Sequence, residues 1–119
     1  MNDVEITLNC QGYKLMVRLI KTYPFYEYRC GYVSIPKGHP IYGLSDDEIY
    51  EQFPDVYEMA HGGITYAGEI DGEWWIGFDT SHAFDTKNTR SLGYVLLTLK
   101  KLLQAVMEVT NEYNLCVRK

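Results

Sequence analysis

Two of the chain's three histidines, His61 and His82, flank a segment whose sequence predicts a β-hairpin. The turn falls at Asp71-Gly72, because both residue types tolerate the positive φ that a two-residue hairpin turn requires. With that turn, the pairing continued outward sets His61 opposite His82 and close to Asp79. The register therefore predicts that two imidazoles and a carboxylate meet at the open end of the hairpin.

Imidazoles beside a carboxylate permit two kinds of chemistry. One histidine oriented by Asp79 or Asp85 could act as a general acid or base in a small hydrolase. His61, His82 and Asp85 could instead hold a borderline divalent metal ion. Because the spacing matches no dedicated metal motif and no nucleophile motif accompanies it, no metal and no cofactor is expected. Both roles are kept as alternatives.

The same end of the hairpin has the composition of an anion-binding site. Gly62-Gly63 can turn backbone N–H groups outward. A long helix predicted from about residue 89 brings a partial positive charge at its N-terminus, with Arg90 in its first turn. Together with His61 and His82, these groups predict a phosphate-sized cradle. The alternative is that both histidines only satisfy hydrogen bonds at a strand end.

A loop earlier in the chain could add two cations to the rim of this cradle. Pro36 and Pro40 restrict the backbone of residues 36–43, so the loop is expected to be preorganised. It carries Lys37 and His39. The alternative is a rigid cover whose apolar residues dock into the core.

The two faces of the hairpin differ in character. One is apolar enough to receive the long helix and consists of Thr65, Ala67, Trp74, Ile76 and Phe78. The other combines aromatic rings, a carboxylate and glycines, and consists of Ile64, Tyr66, Gly68, Trp75, Gly77 and Asp79. On this face Trp75 is expected to cover Gly68, and Tyr66 to cover Gly77. Such a surface suits a planar ligand; a covered sheet face is the alternative.

Alternating residues predict the other strands. They lie over 4–9 and 13–20, joined by a turn at Gln11-Gly12, and over 26–35.

Two helices complete the predicted fold. Ser45 and Glu48 form a capping box for a short helix that ends before Pro54. A long helix over about 89–113 has an apolar stripe at three- and four-residue spacing, formed by Leu92, Val95, Leu96, Leu99, Leu102, Leu103, Val106, Val109 and Tyr113. We therefore expect one α+β domain over residues 1–119. It should have a mainly antiparallel sheet of about five strands, with the long C-terminal helix on one face and the short helix in the middle of the chain.

Composition argues against several partner classes. A net charge of −5 argues against a nucleic-acid partner, whose binding depends on neutralising phosphates. No run approaches the roughly 20 apolar residues that span a bilayer, and the polar N-terminus is unlike a signal peptide. Three cysteines without metal-type spacing indicate reduced thiols in a cytosolic protein. Eleven tyrosines predict a homo-oligomer, most simply a dimer, or a stacking pocket.

Four short motifs follow one another along the chain: Gly31-Tyr32-Val33 with Pro36, His39-Pro40-Ile41-Tyr42-Gly43, His61-Gly62-Gly63-Ile64-Thr65-Tyr66, and Trp75-Ile76-Gly77-Phe78-Asp79 with His82 and Asp85. Together they resemble a group of small uncharacterised proteins found in tailed phages and prophages. The resemblance covers residues 31–110 and implies a viral protein in the cytosol of a bacterial host. It implies no activity and no site residue.

These features predict a phage-encoded anti-defence protein that sequesters a nucleotide-like immune signal of the host. The alternatives are a small His/Asp-dependent hydrolase acting on such a ligand, and an inhibitor that binds a host protein through a tyrosine-rich surface. Sequestration is favoured because the cradle lacks an obvious catalytic pair, and enzymatic activity is left open. The residues expected to bind the ligand are His61, Gly62, Gly63, Tyr66, Trp75, Asp79, His82, Arg90, His39 and Lys37.

Overall fold

A computed structural model describes the backbone of residues 3–117 and the side chains of residues 3–111. The elements in chain order are β1 (Val4–Cys10), β2 (Tyr13–Thr22), β3 (Tyr26–Ile35), α1 (Asp46–Gln52), α2 (Pro54–Met59), β4 (Tyr66–Ile70), β5 (Glu73–Asp79) and α3 (Leu92–Val117). The predicted α+β class is confirmed, with a five-stranded antiparallel sheet and a long C-terminal helix packed on it. Within the described residues, no helix is long and apolar enough to cross a membrane.

Both predicted two-residue turns are present. Gln11-Gly12 joins β1 to β2 and Asp71-Gly72 joins β4 to β5, and all four residues have positive φ. The strand order is β1-β2-β3-β5-β4, so β5 pairs with β3 on one side and β4 on the other. The register expected for the second hairpin is confirmed, because Tyr66 pairs with Gly77 and Gly68 with Trp75.

The sheet buries apolar side chains on both faces. On one face the stripe of α3 enters the main core as predicted, through Leu92, Val95, Leu96, Leu99, Leu102, Leu103, Val106 and Val109. Tyr113, the last residue predicted for this stripe, lies outside the described side chains. Successive strand residues point to opposite faces. A second, smaller cluster of Met16, Cys30, Tyr32 and Trp75 accordingly lies on the other face.

The rings that cover the two hairpin glycines are not the predicted ones. A Cβ added at Gly77 would meet the ring of Tyr32 on β3, not that of Tyr66. A Cβ at Gly68 would meet the Tyr66 hydroxyl, not Trp75. Gly77 has two directly opposite neighbours, Tyr66 on β4 and Tyr32 on β3, and the ring of Tyr32 is the one that covers it. The Tyr66 side chain instead leans along its own strand towards Gly68.

The predicted sides of Ile64 and Thr65 are also wrong. Ile64 is buried in the core that contains α3. Thr65 is exposed, and its hydroxyl donates to Asp79 Oδ2 over 3.0 Å. Because β4 begins only at Tyr66, the two residues before it do not follow the alternation of the strand.

The capping box at Ser45 is confirmed, and α1 ends before Pro54 as predicted. A second short helix, α2, was not predicted and begins at Pro54, since a proline at the first helical position lacks just an N–H that would have no partner in the helix. α3 begins at Leu92, and the Tyr94 N–H donates to Ser91 Oγ over 3.2 Å. Arg90 therefore lies in the turn before the helix, not in its first turn.

Candidate functional site

The open end of the β4–β5 hairpin brings together His61, His82 and Asp85. Each offers one possible ligand atom, and these atoms all lie within 4.8 Å of one another. The two imidazole centroids are 5.7 Å apart, which confirms the prediction that the rings meet. Asp79 lies at the same end, with its Oδ1 3.9 Å from His82 Nε2.

Asp85 is the centre of this histidine cluster, and its side chain has no exposed surface. Its Oδ1 faces His61 Nε2, and its Oδ2 lies 2.8 Å from His82 Nδ1. The His82 N–H donates to Oδ2 and the Thr89 hydroxyl to Oδ1, each over 2.8 Å. Burial acts to raise the pKa of Asp85, but the hydrogen bonds outweigh it and lower the pKa to about 2. At neutral pH an ionised carboxylate therefore holds both imidazoles.

The outer nitrogens of the two imidazoles have different surroundings. His61 Nδ1 lies 2.7 Å from the Tyr94 hydroxyl, and the His61 side chain is only 8% exposed. His82 Nε2 faces Asp79, and the His82 side chain is 24% exposed. His82 is therefore the imidazole that a ligand or solvent reaches more easily.

Gly62 and Gly63 make room for side chains of this protein. A Cβ at Gly62 would lie 2.8 Å from Cε1 of His82, and one at Gly63 would lie 2.6 Å from the Tyr57 ring. The Gly63 N–H donates to the carbonyl of Ala60 over 3.0 Å, so it is already used within the turn. Gly62 therefore allows the His82 ring to pack closely, and Gly63 allows the same for the Tyr57 ring. The Gly63 amide is not directed to a ligand.

Sequence reasoning missed three residues of the cluster: Phe84, Thr89 and Tyr94. The Phe84 ring stacks on His82, with centroids 4.8 Å apart and planes at 10°, and its centroid is 5.4 Å from that of His61. Tyr94 lies in the first turn of α3. The start of this helix was expected near His82, so the sequence could have predicted that Tyr94 lies close to the histidines. The contacts of Phe84 and Thr89 depend on an irregular segment that no periodicity describes.

His39 lies elsewhere and has a structural role. It is buried, its Nε2 donates to the carbonyl of Val106 over 2.8 Å, and its Nδ1 accepts from the Ile41 N–H over 3.0 Å. Burial lowers the pKa of His39, and the hydrogen bond to Val106 opposes this only in part. The neutral ring thus ties the 36–43 loop to α3, as the rigid-cover alternative expects.

Three further predicted residues are also away from the histidine cluster. Trp75 is buried, and Tyr66 packs beside it, in the second core on the sheet face opposite α3. Lys37 lines a different cleft with Lys14 and Trp74. The predicted ligand-binding residues therefore do not share one surface.

Arg90 belongs to a separate cleft, here called the Tyr26–Arg90 cleft, whose volume is about 300 Å³. The Arg90 guanidinium carbon lies 5.3 Å from the centroid of the Tyr26 ring. Arg90 Nη1 also donates to the Asp85 carbonyl over 3.4 Å, which links this cleft to the histidine cluster. The cleft is lined by Phe25, Tyr26, Glu27, Arg29, Lys87 and Arg90.

The positive charge available in this cleft comes from Lys87 and Arg90. Arg29 is already paired with Glu5, with Nε 2.7 Å from Oε1, and its Nη1 donates to the Arg90 carbonyl over 3.1 Å. Among the described residues, neither Lys87 nor Arg90 forms an ion pair. Glu27 is the acidic group on the cleft wall.

One segment, residues 80–91, therefore supplies groups to both places. It carries His82 and Asp85 of the histidine cluster, and Lys87 and Arg90 of the cleft. The arrangement offers an oriented imidazole on one side and an aromatic, cationic surface on the other. Comparison with protein-family models, with curated proteins and with solved structures finds no match to this chain.

Proposed function

We propose that the protein binds and sequesters a small anionic, nucleotide-like ligand in the Tyr26–Arg90 cleft. The observation that carries the proposal is the Arg90 guanidinium held 5.3 Å over the Tyr26 ring, in a cleft that also contains Lys87. A cation–π contact holds the guanidinium beside the ring while leaving N–H donors for an anion. Arginine and lysine are the side chains that bind phosphate groups most strongly.

The aromatic residues and the size of the cleft support a nucleotide over a bare anion. Phe25 is 94% exposed at the cleft, and an exposed ring offers a platform on which a base can stack. About 300 Å³ is at the lower end of the range for small-molecule sites, which suits part of a nucleotide. In the phage setting implied by the sequence resemblance, capture of such a host signal would block defence.

Calorimetric titration with ADP, adenosine and inorganic phosphate tests the proposal. We expect ADP to bind more tightly than either fragment, because it engages both the cations and the ring. Arg90→Gln should weaken ADP binding about 10- to 100-fold, since a charge-assisted hydrogen bond contributes about 1.5–3 kcal/mol. Phe25→Ala, at an exposed position, should weaken ADP but not phosphate.

Lys101→Gln provides the matched control, because it removes one exposed positive charge from α3, away from the cleft. It should leave ADP affinity unchanged. An equal loss in Arg90→Gln and Lys101→Gln would indicate only a general charge effect and would contradict the proposal. So would a failure of the unaltered protein to bind ADP at millimolar concentration.

A second candidate function is an acid–base reaction at His82. Its Nδ1 lies 2.8 Å from the ionised Asp85, and its side chain is the more accessible of the pair. An imidazole held this way by a carboxylate is the arrangement of a general base. Chromatography of the nucleotide recovered after incubation separates the two functions. Sequestration returns the intact compound, whereas catalysis returns a product that His82→Gln no longer forms.

A further inference from the structure

We propose that His61, His82 and Asp85 form a binding site for one divalent transition-metal ion, with Zn²⁺ the ion that fits best. The site is separate from the Tyr26–Arg90 cleft, so the proposal goes beyond the anion-binding function and does not depend on it. Three features support the metal site: the chemical type of the three donors, the groups near each imidazole, and the packing of the two rings.

The three donors match the preferences of zinc. Two imidazole nitrogens and one carboxylate oxygen are ligands that Zn²⁺ accepts, whereas Mg²⁺ and Ca²⁺ prefer oxygen alone. Metal–ligand distances of about 2.0–2.2 Å place the donors of a tetrahedral site about 3.3–3.6 Å apart. The three donor atoms here lie within 4.8 Å of one another, so shifts of about 1 Å suffice to admit an ion.

Each histidine also has an oxygen near its outer nitrogen, within hydrogen-bond distance at His61 and beyond it at His82. His61 directs Nε2 to Asp85 and has the Tyr94 hydroxyl 2.7 Å from Nδ1. His82 directs Nδ1 to Asp85 and has the Asp79 carboxylate 3.9 Å from Nε2. Histidines that bind metal typically donate their other N–H to such an oxygen, which fixes tautomer and orientation.

Metal binding then requires a change of tautomer at each imidazole, together with the shifts of about 1 Å. The proton leaves the inner nitrogen of each ring and is carried by the outer nitrogen, where the Tyr94 hydroxyl accepts the hydrogen bond from His61 and the Asp79 carboxylate, after a small approach, accepts that from His82. The inner nitrogens then bind the ion together with the Asp85 carboxylate. Three protein ligands leave a fourth position for water.

The packing holds both rings in place and leaves an entry path. The His82 ring lies between Phe84, stacked at 4.8 Å, and the backbone of Gly62, where a side chain would collide with it. His61 makes an edge contact with the Tyr94 ring at 5.2 Å. The partly exposed His82 side chain and the exposed Phe84 form the outer side of the cluster, through which an ion can enter.

Titration of the chelator-treated protein with Zn²⁺ tests the site, with Mg²⁺ as the comparison ion. We expect one Zn²⁺ per chain by calorimetry, a higher melting temperature with excess Zn²⁺, and no binding of Mg²⁺. No Zn²⁺ binding at millimolar concentration would overturn the proposal. Equal binding of Mg²⁺ would also overturn it, because it would point to surface carboxylates.

The unaltered protein contains its own control, because His39 lies away from the site. In nitrogen NMR of the imidazoles, Zn²⁺ should shift the signals of His61 and His82 and leave those of His39 in place. Shifts confined to His39, or spread equally over all three rings, would contradict the assignment. This readout does not depend on whether any variant folds.

Variants then locate the ligands. His82→Gln, at the partly exposed ring, should lower Zn²⁺ affinity at least 10-fold, whereas Asp55→Asn, an exposed acid on α2, should leave it unchanged. Circular dichroism establishes that both fold. Unchanged Zn²⁺ affinity in His82→Gln would show that the cluster is a hydrogen-bonded clamp only, and would refute the site.

Discussion

The ring of Tyr32 on β3 lies directly over Gly77, the residue paired with it on β5, and occupies the space that a side chain at Gly77 would need. A Cβ at Gly77 would lie 2.5 Å from Cδ2 of Tyr32 and 2.6 Å from the backbone oxygen of Gly31. The Tyr32 ring is packed in the second core and the Gly31 oxygen belongs to the sheet backbone, so neither can move easily to make room for a Cβ. The glycine is therefore required by packing where β5 pairs with β3.

We expect Gly77→Ala to destabilise the protein by about 2–3 kcal/mol, as overpacking in a core does. Gly93→Ala is the control, because it lies on α3 with nothing within 4 Å of the added Cβ. It should stabilise by up to about 1 kcal/mol, since alanine favours a helix over glycine. Urea unfolding measures both, and similar effects at the two positions would contradict the packing argument.

Asp85 should make stability depend on pH in the acid range. Its pKa is lowered to about 2 from an ordinary 3.8, so the folded state favours the ionised form. That stabilisation is fully present above about pH 4 and is lost as the pH falls towards 2. The loss should be about 2 kcal/mol.

Urea unfolding between pH 2 and 6 measures this contribution. Asp85→Asn should be less stable at neutral pH and should lose the Asp85 part of the acid slope, whereas the lowered pKa values of Asp3 and Glu5, caused by their arginine partners, keep their own part. Asp55→Asn, on the exposed side of α2, should keep the slope of the unaltered protein. An unchanged slope in Asp85→Asn would show that the carboxylate is not held as described.

His39 should contribute a second pH dependence, at higher pH. Because burial lowers its pKa below the ordinary 6.5, the unfolded chain takes up a proton there before the folded protein does. Stability should therefore fall as the pH drops below about 6.5, and His39→Gln should remove that part of the slope. Nuclear magnetic resonance titration of the ring provides the direct measurement. A His39 signal that titrates at or above 6.5 would contradict it.

His39→Ala should reduce the free energy of unfolding by more than protonation of His39 does. It leaves the Val106 carbonyl and the Ile41 N–H without their partner and opens a cavity under the 36–43 loop. The expected loss is about 2–4 kcal/mol in the free energy of unfolding. Lys37→Ala, at an exposed position in the same loop, should change stability by less than about 0.5 kcal/mol.

Two exposed tyrosines, Tyr23 and Tyr50, are consistent with the homo-oligomer predicted from the sequence, which stays a prediction. Tyr23 is 98% exposed and Tyr50 59% exposed, and both leave aromatic area in solvent that a second copy could bury. Light scattering after size exclusion should give twice the 13.8 kDa chain mass at micromolar concentration. A mass of one chain, unchanged on adding ADP, would contradict the prediction.

Local physics explains which parts of the structure could be predicted. The Asp71-Gly72 turn, the register of β4 and β5, the Ser45 capping box and the apolar stripe of α3 each depend on residues near one another in the chain. Turn conformation sets the register of β4 and β5, and that register directs the segments with His61 and His82 to the same end of the hairpin. Both histidines lie beyond the paired residues, so their common location was predictable from the sequence, whereas their contact depends on Asp85, which holds both imidazoles.

Long-range packing between elements sets which neighbours complete each site. His39 binds Val106 on α3 and not a ligand, and Tyr32, from a strand distant in sequence, covers Gly77. Arg90, in the turn before α3, lies over the ring of Tyr26 on β3, a contact between residues distant in sequence. These contacts depend on how separate elements pack and on irregular segments between them. Neither hydrophobic period nor turn chemistry specifies that packing, so residues predicted to share one cradle divide between a histidine cluster, a cationic cleft and two cores.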